Sequence, residues 1–313
     1  MIDITALGEI LIDFTPINLG NGKHSYEQNA GGAPANLLAT FARFGGKTAF
    51  IGKVGNDMFG EFLIQTLREN QIDDRGVVVD QEHNTTLAFV ALDENGDRKF
   101  SFCRKNGADV FLKKEEIQAD LIQNSKIFHF GSLSLTDEPA KAATDRAISL
   151  AKSCGCTVSF DPNYRPLLWK TPEKAIEMMK RYVSYADIVK ISREELEMMT
   201  DETDILRGIQ HVLDRGVKIV LVTDGANGVT YATKAFSGFV PSLSVKVVDT
   251  TGAGDIFFGT FLYAFSRIEI NFDKIDQNHI ENAVKLAVRV SGLSTTKKGA
   301  IPSIPTKEEL KAL

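Results

Sequence analysis

A short run of small residues between two acidic ones, DTTGAGD at 249–255, has the clearest chemical potential in this sequence. The apolar stretch that follows, IFFGTFLYAF, has helical spacing, which places Gly252, Ala253 and Gly254 at a predicted helix N-terminus. Unpaired backbone N–H groups and the helix dipole make such a terminus an anion site. Asp255 would then lie in the first turn of the helix, beside the anion.

A carboxylate next to an anion site is electrostatically unfavourable unless both act in one reaction, and phosphoryl transfer is such a reaction. The N–H groups of Gly252 to Gly254 would stabilise the transferred phosphoryl group while Asp255 accepts the proton of the attacking hydroxyl. The alternative is that Asp255 only caps the helix after a glycine turn. This short motif by itself favours neither interpretation.

Other phosphate-binding motifs fail on inspection. Gly46-Lys47-Thr48 resembles the end of a P-loop, but Phe41 stands where the first glycine is required. The GAGDIF segment has Phe257 in place of the third glycine of the dinucleotide fingerprint. The five histidines lack the spacing of metal ligands. The sequence therefore predicts neither a Walker loop nor a structural metal.

A second candidate site lies near the start of the chain, in AGGAPAN at 30–36. Gly31 and Gly32 would let the backbone approach a ligand closely, and Asn36 offers both a hydrogen-bond donor and an acceptor. Asp13, predicted to end the first strand, could accept hydrogen bonds from two neighbouring hydroxyls. Together these groups suit a polyol. Taken alone, AGGAPAN is better explained as a turn followed by a helix cap.

The elements that must position these residues alternate between apolar strands and amphipathic helices, which predicts a mostly parallel sheet covered on both faces. Residues 10–30 and 84–105 break this alternation, because they read as strands without intervening helices. TTLAFVALDENGDRKFSFCRK predicts a hairpin that turns at 93–97. These strands suggest a small β-sheet lid, although edge strands of the main sheet would give the same periodicity.

Composition limits the function classes. The 313 residues carry a formal net charge of -5, and 43% are hydrophobic, so nothing indicates a nucleic-acid binder. No stretch approaches the length of a membrane span. The three cysteines, Cys103, Cys154 and Cys156, are too few and too odd in number for a disulfide framework. With no signal-like start, these features predict a cytoplasmic protein.

Two long segments resemble the two signatures of the ribokinase-like (PfkB) carbohydrate kinases, and they occur in the right order: AGGAPANLLATFARFGGKTAFIGKVGNDMFG and DTTGAGDIFFGTFLYAF. The resemblance extends over essentially the whole chain. SFDPNYRPLLWKTPEKA, KISREELEMMT and TTKKGAIPSIP are similar to the fructokinase members. The family implies one three-layer α/β/α domain over 1–313 with a mostly parallel central sheet and a small β-sheet lid. It also implies ATP and Mg²⁺.

The resemblance implies catalytic and sugar-binding roles. It makes Asp255 the base, and Gly252, Ala253 and Gly254 the anion hole. Arg165 in DPNYR resembles an arginine near the transferred phosphate. Arg104 lies at the end of the predicted hairpin, and either reaches the sugar from above or is a solvated strand end. The implied sugar contacts are Asp13, Gly31, Gly32, Asn36 and Arg104.

The resemblance also implies nucleotide and ion sites. The family often has N-x-x-E near a magnesium-bound water, whereas this chain has Ser192 and Glu195, of which Glu195 keeps the acidic role. The implied nucleotide contacts are Ser192, Glu195, Thr223, Gly225, Gly228, Gly254, Gly299 and Ala300. A potassium site is implied at Asp249, Thr251, Ser294, Lys297, Gly299 and Ser303.

These observations predict an ATP-dependent kinase that phosphorylates a hydroxyl of a hexose, with D-fructose favoured. Within the enzyme class, 2-keto-3-deoxygluconate kinase and ribokinase are the alternatives. A sugar-sensing homologue that has lost catalysis is the alternative from another class, and the intact GAGD argues against it. No membrane or nucleic-acid partner is expected. The lid strands offer edges that could pair in a homodimer.

Overall fold

A computed structural model describes residues 1–18, 24–92, 98–268, 272, 274–306 and 308–309. The strands within these ranges are β1 (Ile2–Leu7), β2 (Leu11–Asn18), β3 (His24–Gly31), β4 (Thr48–Gly55), β5 (Ile72–Asp80), β6 (Leu87–Leu92), β7 (Arg98–Cys103), β8 (Ser125–Gly131), β9 (Thr157–Asp161), β10 (Ile188–Ser192), β11 (Ile219–Thr223), β12 (Gly228–Ala232) and β13 (Ser237–Pro241). The helices are α1 (Ala33–Arg43), α2 (Met58–Glu69), α3 (Ala119–Gln123), α4 (Ala140–Ser153), α5 (Pro172–Tyr182), α6 (Arg193–Thr200), α7 (Ile205–Leu213), α8 (Ala253–Ser266) and α9 (Gln277–Ser294). No helix in these ranges has the length and apolar character that crossing a bilayer requires.

The central sheet has the strand order β13-β12-β11-β10-β9-β8-β1-β4-β5. Its strands run parallel from β11 to β5, and only β12 and β13 are antiparallel to their neighbours. Its inner strands are buried along almost their whole length, as the near-continuous apolar runs such as IVLVT predict. The predicted mostly parallel α/β fold is confirmed.

Alternate residues of the central strands feed two separate cores. In β11, Ile219 and Leu221 pack into the core that α1, α2, α8 and α9 complete, whereas Val220 and Val222 face the core of α4 to α7. This period of two is the geometry of a strand buried on both faces. The result is the predicted three-layer arrangement, with helices on both faces of the sheet.

The small sheet is a separate four-stranded sheet in the order β3-β2-β6-β7. Its outer pairs, β2 with β3 and β6 with β7, are antiparallel, while β2 and β6 run parallel. The predicted hairpin is therefore present as β6 and β7, and its predicted turn at 93–97 lies outside the described residues. These strands are not edges of the central sheet.

The first strand differs from the sequence prediction. The first strand was predicted to end at Asp13, but β1 ends at Leu7 and β2 begins at Leu11 in the other sheet. The chain changes sheets across 8–10. Asp13 thus lies within the small sheet, where it pairs in register with Asn29 of β3.

The carboxyl ends of β1, β9, β10 and β11 meet at one edge of the central sheet. Glu9 follows β1, and β9, β10 and β11 end at Asp161, Ser192 and Thr223. Ligands of open α/β sheets bind at this edge. Asp13 and Phe102 of the small sheet and the start of α8 lie here too, beside Glu9.

Candidate active site

The glycine turn before α8 is shaped by contacts that exclude a side chain. Gly252 is the N-cap, with a φ of 72°, and a Cβ there would lie 2.5 Å from the Ala300 Cβ. Glycine adopts this left-handed conformation without strain. The Ala253 N–H donates to the Thr250 carbonyl at 3.2 Å, so one of the predicted anion-hole donors is engaged in the turn.

Asp255 is the third residue of α8, and its side chain is turned away from a capping role. It is 8% exposed, and its Oδ2 accepts a 2.9 Å hydrogen bond from Asn36 Nδ2. Asn163 Nδ2 lies 3.5 Å from Oδ1. Burial raises the pKa of Asp255, while the Asn36 hydrogen bond and the charges of Lys190 and Arg165 oppose that rise. Asp255 is therefore a buried carboxylate joined to two amides.

A polar cavity of about 220 Å³ opens beside Asp255. The cavity has room for several waters or one small ligand. Asn36 Oδ1 is buried and has no hydrogen-bond partner within the described residues, although Asn36 lines the cavity. A buried acceptor of this kind is stabilised by a ligand that brings a donor. The polar lining residues are Glu9, Asp13, Asn36, Asn163, Arg165, Thr250, Thr251 and Asp255.

The paired glycines of AGGAPAN allow close packing at the cavity wall. A Cβ on Gly31 would lie 2.0 Å from Asp13 Oδ2, and a Cβ on Gly32 would lie 2.5 Å from the Glu9 carbonyl oxygen. Gly32 also has a φ of 108°. A side chain at Gly32 would meet backbone atoms, so this position excludes larger residues and the backbone forms this part of the cavity wall. Gly31 does not line the cavity, and its Cβ would meet the end of the Asp13 side chain.

A second cavity of about 540 Å³ lies on the other side of the same turn. Four predicted nucleotide contacts line it: Thr223, Gly225, Gly228 and Gly254. Its apolar wall was not predicted, because no motif marks it; it contains Leu243, Val245, Val247, Phe257 and Val288. Thr250 lines both cavities, so the turn at 250–254 separates them.

Ser192 and Glu195 do not line either cavity. Ser192 is the N-cap of α6, and the two residues form a reciprocal capping box. Glu195 accepts the Ser192 N–H at 2.8 Å and the Tyr164 N–H at 2.6 Å. S-x-x-E before a helix is a capping-box signature, so the sequence held the signal for this cap, which was not predicted. A contact from Glu195 to a magnesium-bound water stays a prediction.

The two predicted arginines have different surroundings. Arg165 is half-buried and lines the 220 Å³ cavity. Arg104 is 5% exposed, and its guanidinium is held by Asp109 at 2.7 Å, Thr136 at 2.9 Å and the Leu133 carbonyl at 2.9 Å. It is not a solvated strand end. Since Arg104 does not line this cavity, its contact with the sugar remains a prediction.

The predicted potassium residues form a compact turn region. Asp249 accepts the Thr251 N–H at 2.7 Å and the Gly299 N–H at 2.9 Å, which draws the two segments together. The hydroxyls of Ser294 and Ser303 donate to nearby carbonyls. The Lys297 ammonium pairs with Glu309, so only its carbonyl could serve an ion. Gly299 and Ala300 lie in this region and do not line the 540 Å³ cavity.

A buried ion pair beneath the turn was missed. Lys190, in the middle of β10, is 6% exposed, and its Nζ lies 3.0 Å from Asp161 Oδ2. A Cβ on Gly254 would lie 3.0 Å from this Nζ, which places the charge directly under the turn. Burial raises the pKa of Asp161 to about 6, although Lys190 opposes the shift. A lysine inside the apolar run IVKIS was the available signal.

A model described as pfkB family carbohydrate kinase matches residues 1–307. The chain belongs to this family. Probable fructokinase-5 of Arabidopsis thaliana is 41% identical to this PfkB kinase, over 99% of the chain and 96% of the relative. Fructokinase-1 of Oryza sativa subsp. japonica is 42% identical, over 98% and 96%.

Solved structures are similar to the PfkB kinase over nearly its whole length. A fructokinase from Xylella fastidiosa with bound ATP matches with a TM-score of 0.92 and 35% identity, covering 99% of this chain and 97% of that one. A double-mutant fructokinase from Vibrio cholerae O395, bound to fructose, ADP and a potassium ion, matches with a TM-score of 0.90 and 38% identity, covering 100% and 98%. The family resemblance seen in the sequence is confirmed.

Proposed function

We propose that this PfkB kinase transfers the γ-phosphoryl group of ATP to a hydroxyl of D-fructose. The observation that carries the proposal is the turn at 250–254, which separates a small polar cavity from a larger, partly apolar one. A sugar in the first and a nucleotide in the second would meet at Asp255. The relatives that are similar over nearly the full chain are named fructokinases, which favours fructose as the acceptor.

Asp255 is proposed to accept the proton of the attacking hydroxyl. Asn36 donates to its Oδ2 and so fixes the carboxylate, leaving Asn36 Oδ1 to accept a sugar hydroxyl. A base works best when its pKa is near the working pH, and burial moves the pKa of Asp255 in that direction. The N–H groups at the start of α8 and Arg165 would stabilise charge on the transferred phosphoryl group.

Magnesium, when bound with ATP, neutralises charge on the phosphates. No group of three or more His, Cys, Asp or Glu side chains in the described ranges could hold a metal ion by itself. Mg²⁺ commonly keeps several waters, so the nucleotide phosphates and waters would be its main ligands here. Glu195 is proposed to accept a hydrogen bond from one of those waters, because each carboxylate oxygen has a second lone pair.

The whole chain, 1–313, is proposed to act as one kinase unit in which the small sheet is the lid, with its strands in 10–30 and 84–105. Asp13 of β2 and Phe102 of β7 already line the sugar cavity from this sheet. Closure over a bound sugar would exclude water and so limit ATP hydrolysis. The apolar Phe102 ring would shield the reacting groups from solvent.

Fructose is expected to give a higher kcat/KM than ribose, adenosine or 2-keto-3-deoxygluconate. Ribose is smaller than fructose and would leave polar groups of the cavity wall unpaired. The four substrates should be compared under one set of conditions by ADP formation. A higher kcat/KM for ribose or 2-keto-3-deoxygluconate would overturn the choice of sugar and keep the kinase. No sugar-dependent ADP formation at all would favour the sugar sensor.

Potassium is expected to raise activity several-fold over a bulky organic cation. Hard cations take oxygen ligands, and the segments around Asp249 and Gly299 bring carboxylate and carbonyl oxygens together beside the turn. An ion there would order the N–H groups of the turn. The rate should be measured in potassium, sodium, lithium and tetramethylammonium chloride at one ionic strength. Equal rates in all four salts would exclude the site.

A homodimer through the small sheet is a further proposal. Its outer strands β3 and β7 each have one neighbour among the described strands, and Ile17 and Tyr26 are 39% and 45% exposed. Exposed strand edges and apolar side chains favour association. Light scattering across a concentration series should give a dimer, which Tyr26→Glu should dissociate. A wild-type monomer at every concentration would contradict this proposal.

A cytoplasmic location is also proposed. Cys103, Cys154 and Cys156 are all unpaired, and a reducing compartment keeps thiols in this state. Cell fractionation with an antibody against the protein would test it, and recovery outside the cytoplasmic fraction would contradict it.

A further inference from the structure

Glu9 is a buried carboxyl on the wall of the sugar cavity, and none of the motifs marks it. It lies in the crossing from β1 to β2, is 4% exposed, and lines the cavity together with Asp13 and Asn36. Its Oε1 accepts the Ala33 N–H at 2.9 Å. The backbone N–H of Glu9 itself also stabilises the charged carboxylate. No other described residue donates a hydrogen bond to Oε2, so Oε2 is the oxygen that a ligand could use.

The hydrogen bond to Ala33 gives Glu9 a structural task as well. Ala33 is the first residue of α1, and the N-cap of this helix, Gly32, has no side chain to satisfy its amides. Glu9 supplies an acceptor from another segment, which also suits the positive end of the helix dipole. The helix start held in this way also positions Asn36, which bonds to Asp255.

The local charges leave Glu9 without a direct cationic partner. The described charged groups that act on it most are Arg104, whose guanidinium is bonded to Asp109, and Asp109 itself. Burial raises the pKa of Glu9 to about 7. A carboxyl removed from bulk water is costly when few donors reach it, and a hydroxyl donor in the cavity would lower that cost.

We propose that Glu9 is a sugar-binding residue: Oε1 holds the Ala33 amide while Oε2 accepts a hydrogen bond from a sugar hydroxyl that is not phosphorylated. The reacting hydroxyl must lie against Asp255, so Glu9 would read a different hydroxyl and thereby contribute to sugar specificity. This inference rests on the proposed function, since it assumes a polyhydroxyl acceptor in the cavity of about 220 Å³.

The test is a cycle between enzyme variants and singly deoxygenated fructose analogues. Glu9→Gln keeps the shape and an acceptor for the Ala33 N–H, but it can place an NH₂ donor where the sugar needs an acceptor. We expect the KM for fructose to rise and kcat/KM to fall about 10- to 100-fold, with the KM for ATP unchanged. Glu61→Gln is the matched control, because Glu61 is exposed on α2, and its KM and kcat should equal those of the wild type.

The decisive readout is the coupling between the Glu9 substitution and the removal of one sugar hydroxyl. One deoxy analogue should be much poorer than fructose for the wild type, yet equal to fructose for Glu9→Gln. Ala33→Pro removes the amide donor at a helical position where proline is tolerated, and its ring then lies next to Glu9 Oε1. This variant should still discriminate against that analogue, because Oε2 remains. A merely structural Glu9 would give both variants the same loss for every analogue.

Three outcomes overturn the inference: an unchanged KM for fructose in Glu9→Gln, a uniform loss across all analogues, or a loss confined to kcat. If Glu9→Gln does not fold, the same cycle is run with Glu9→Asp. Its shorter carboxylate should also give equal kcat/KM for fructose and for the deoxy analogue that the wild type uses poorly. If the wild type prefers another sugar, the proposed choice of fructose fails. The cycle is then run with deoxy analogues of that sugar, so the two failures are distinguished.

Discussion

Asp255→Asn is expected to lower kcat by about 10²- to 10⁴-fold or more, the usual loss when a positioned base is removed. Asparagine is nearly the same size, and its side-chain oxygen can still accept the Asn36 hydrogen bond that Asp255 accepts at 2.9 Å. The fold and both cavities should therefore persist. Only the ability to take up a proton is lost.

The measurement is steady-state ADP formation at saturating fructose and ATP, with nucleotide affinity and thermal unfolding measured alongside. The nucleotide affinity of Asp255→Asn should stay near that of the wild type, because the nucleotide cavity is lined by Gly254 and not by Asp255. Asp214→Asn, at the exposed end of α7, is the matched control. A variant that keeps most of the wild-type turnover would rule out Asp255 as the base.

Local patterns predicted most of the helices and strands. The apolar spacing after GAGD predicted α8, and the glycine turn before it lies between the two cavities. The pattern could not show where the chain changes sheets at 8–10, because both β1 and β2 are apolar runs and only their partners differ. Strand pairing is a long-range property that periodicity does not contain.

Three residues of the site were not predicted from the sequence, because tertiary contacts place them there. Asn163 was inside the quoted DPNYR, yet its place beside Asp255 depends on a left-handed backbone, with a φ of 44°, at the end of β9. Asparagine tolerates this conformation better than most residues. Glu9 and Lys190 are charged residues within apolar runs. A charge in such a run is the available signal, because it must find a partner once buried.

Lys190→Met is expected to lower the free energy of unfolding by about 3–5 kcal/mol, the usual cost when one partner of a buried ion pair is removed. Lys190 and Asp161 are 6% and 2% exposed, so water cannot replace the lost ammonium. Methionine fills a similar volume, which separates the loss of charge from the loss of packing. Asp161 would remain buried, with its Nζ contact at 3.0 Å gone.

Chemical denaturation at neutral pH should measure this loss, with Lys285→Met as the control. Lys285 is 55% exposed in its pair with Glu281 on α9, so its removal should cost less than about 1 kcal/mol. A carboxyl whose folded-state pKa is raised loses stability as the pH rises above its unfolded-state pKa, so the deficit of Lys190→Met should be smaller near pH 4 than near pH 7. Adding Asp161→Asn should recover part of the stability, because the carboxylate nearest to the lost ammonium is then neutral. Two outcomes would contradict this prediction: an equal loss in Lys190→Met and Lys285→Met, or a double variant less stable than Lys190→Met. Either would show that the Lys190–Asp161 pair does not stabilise the fold beneath the active-site turn.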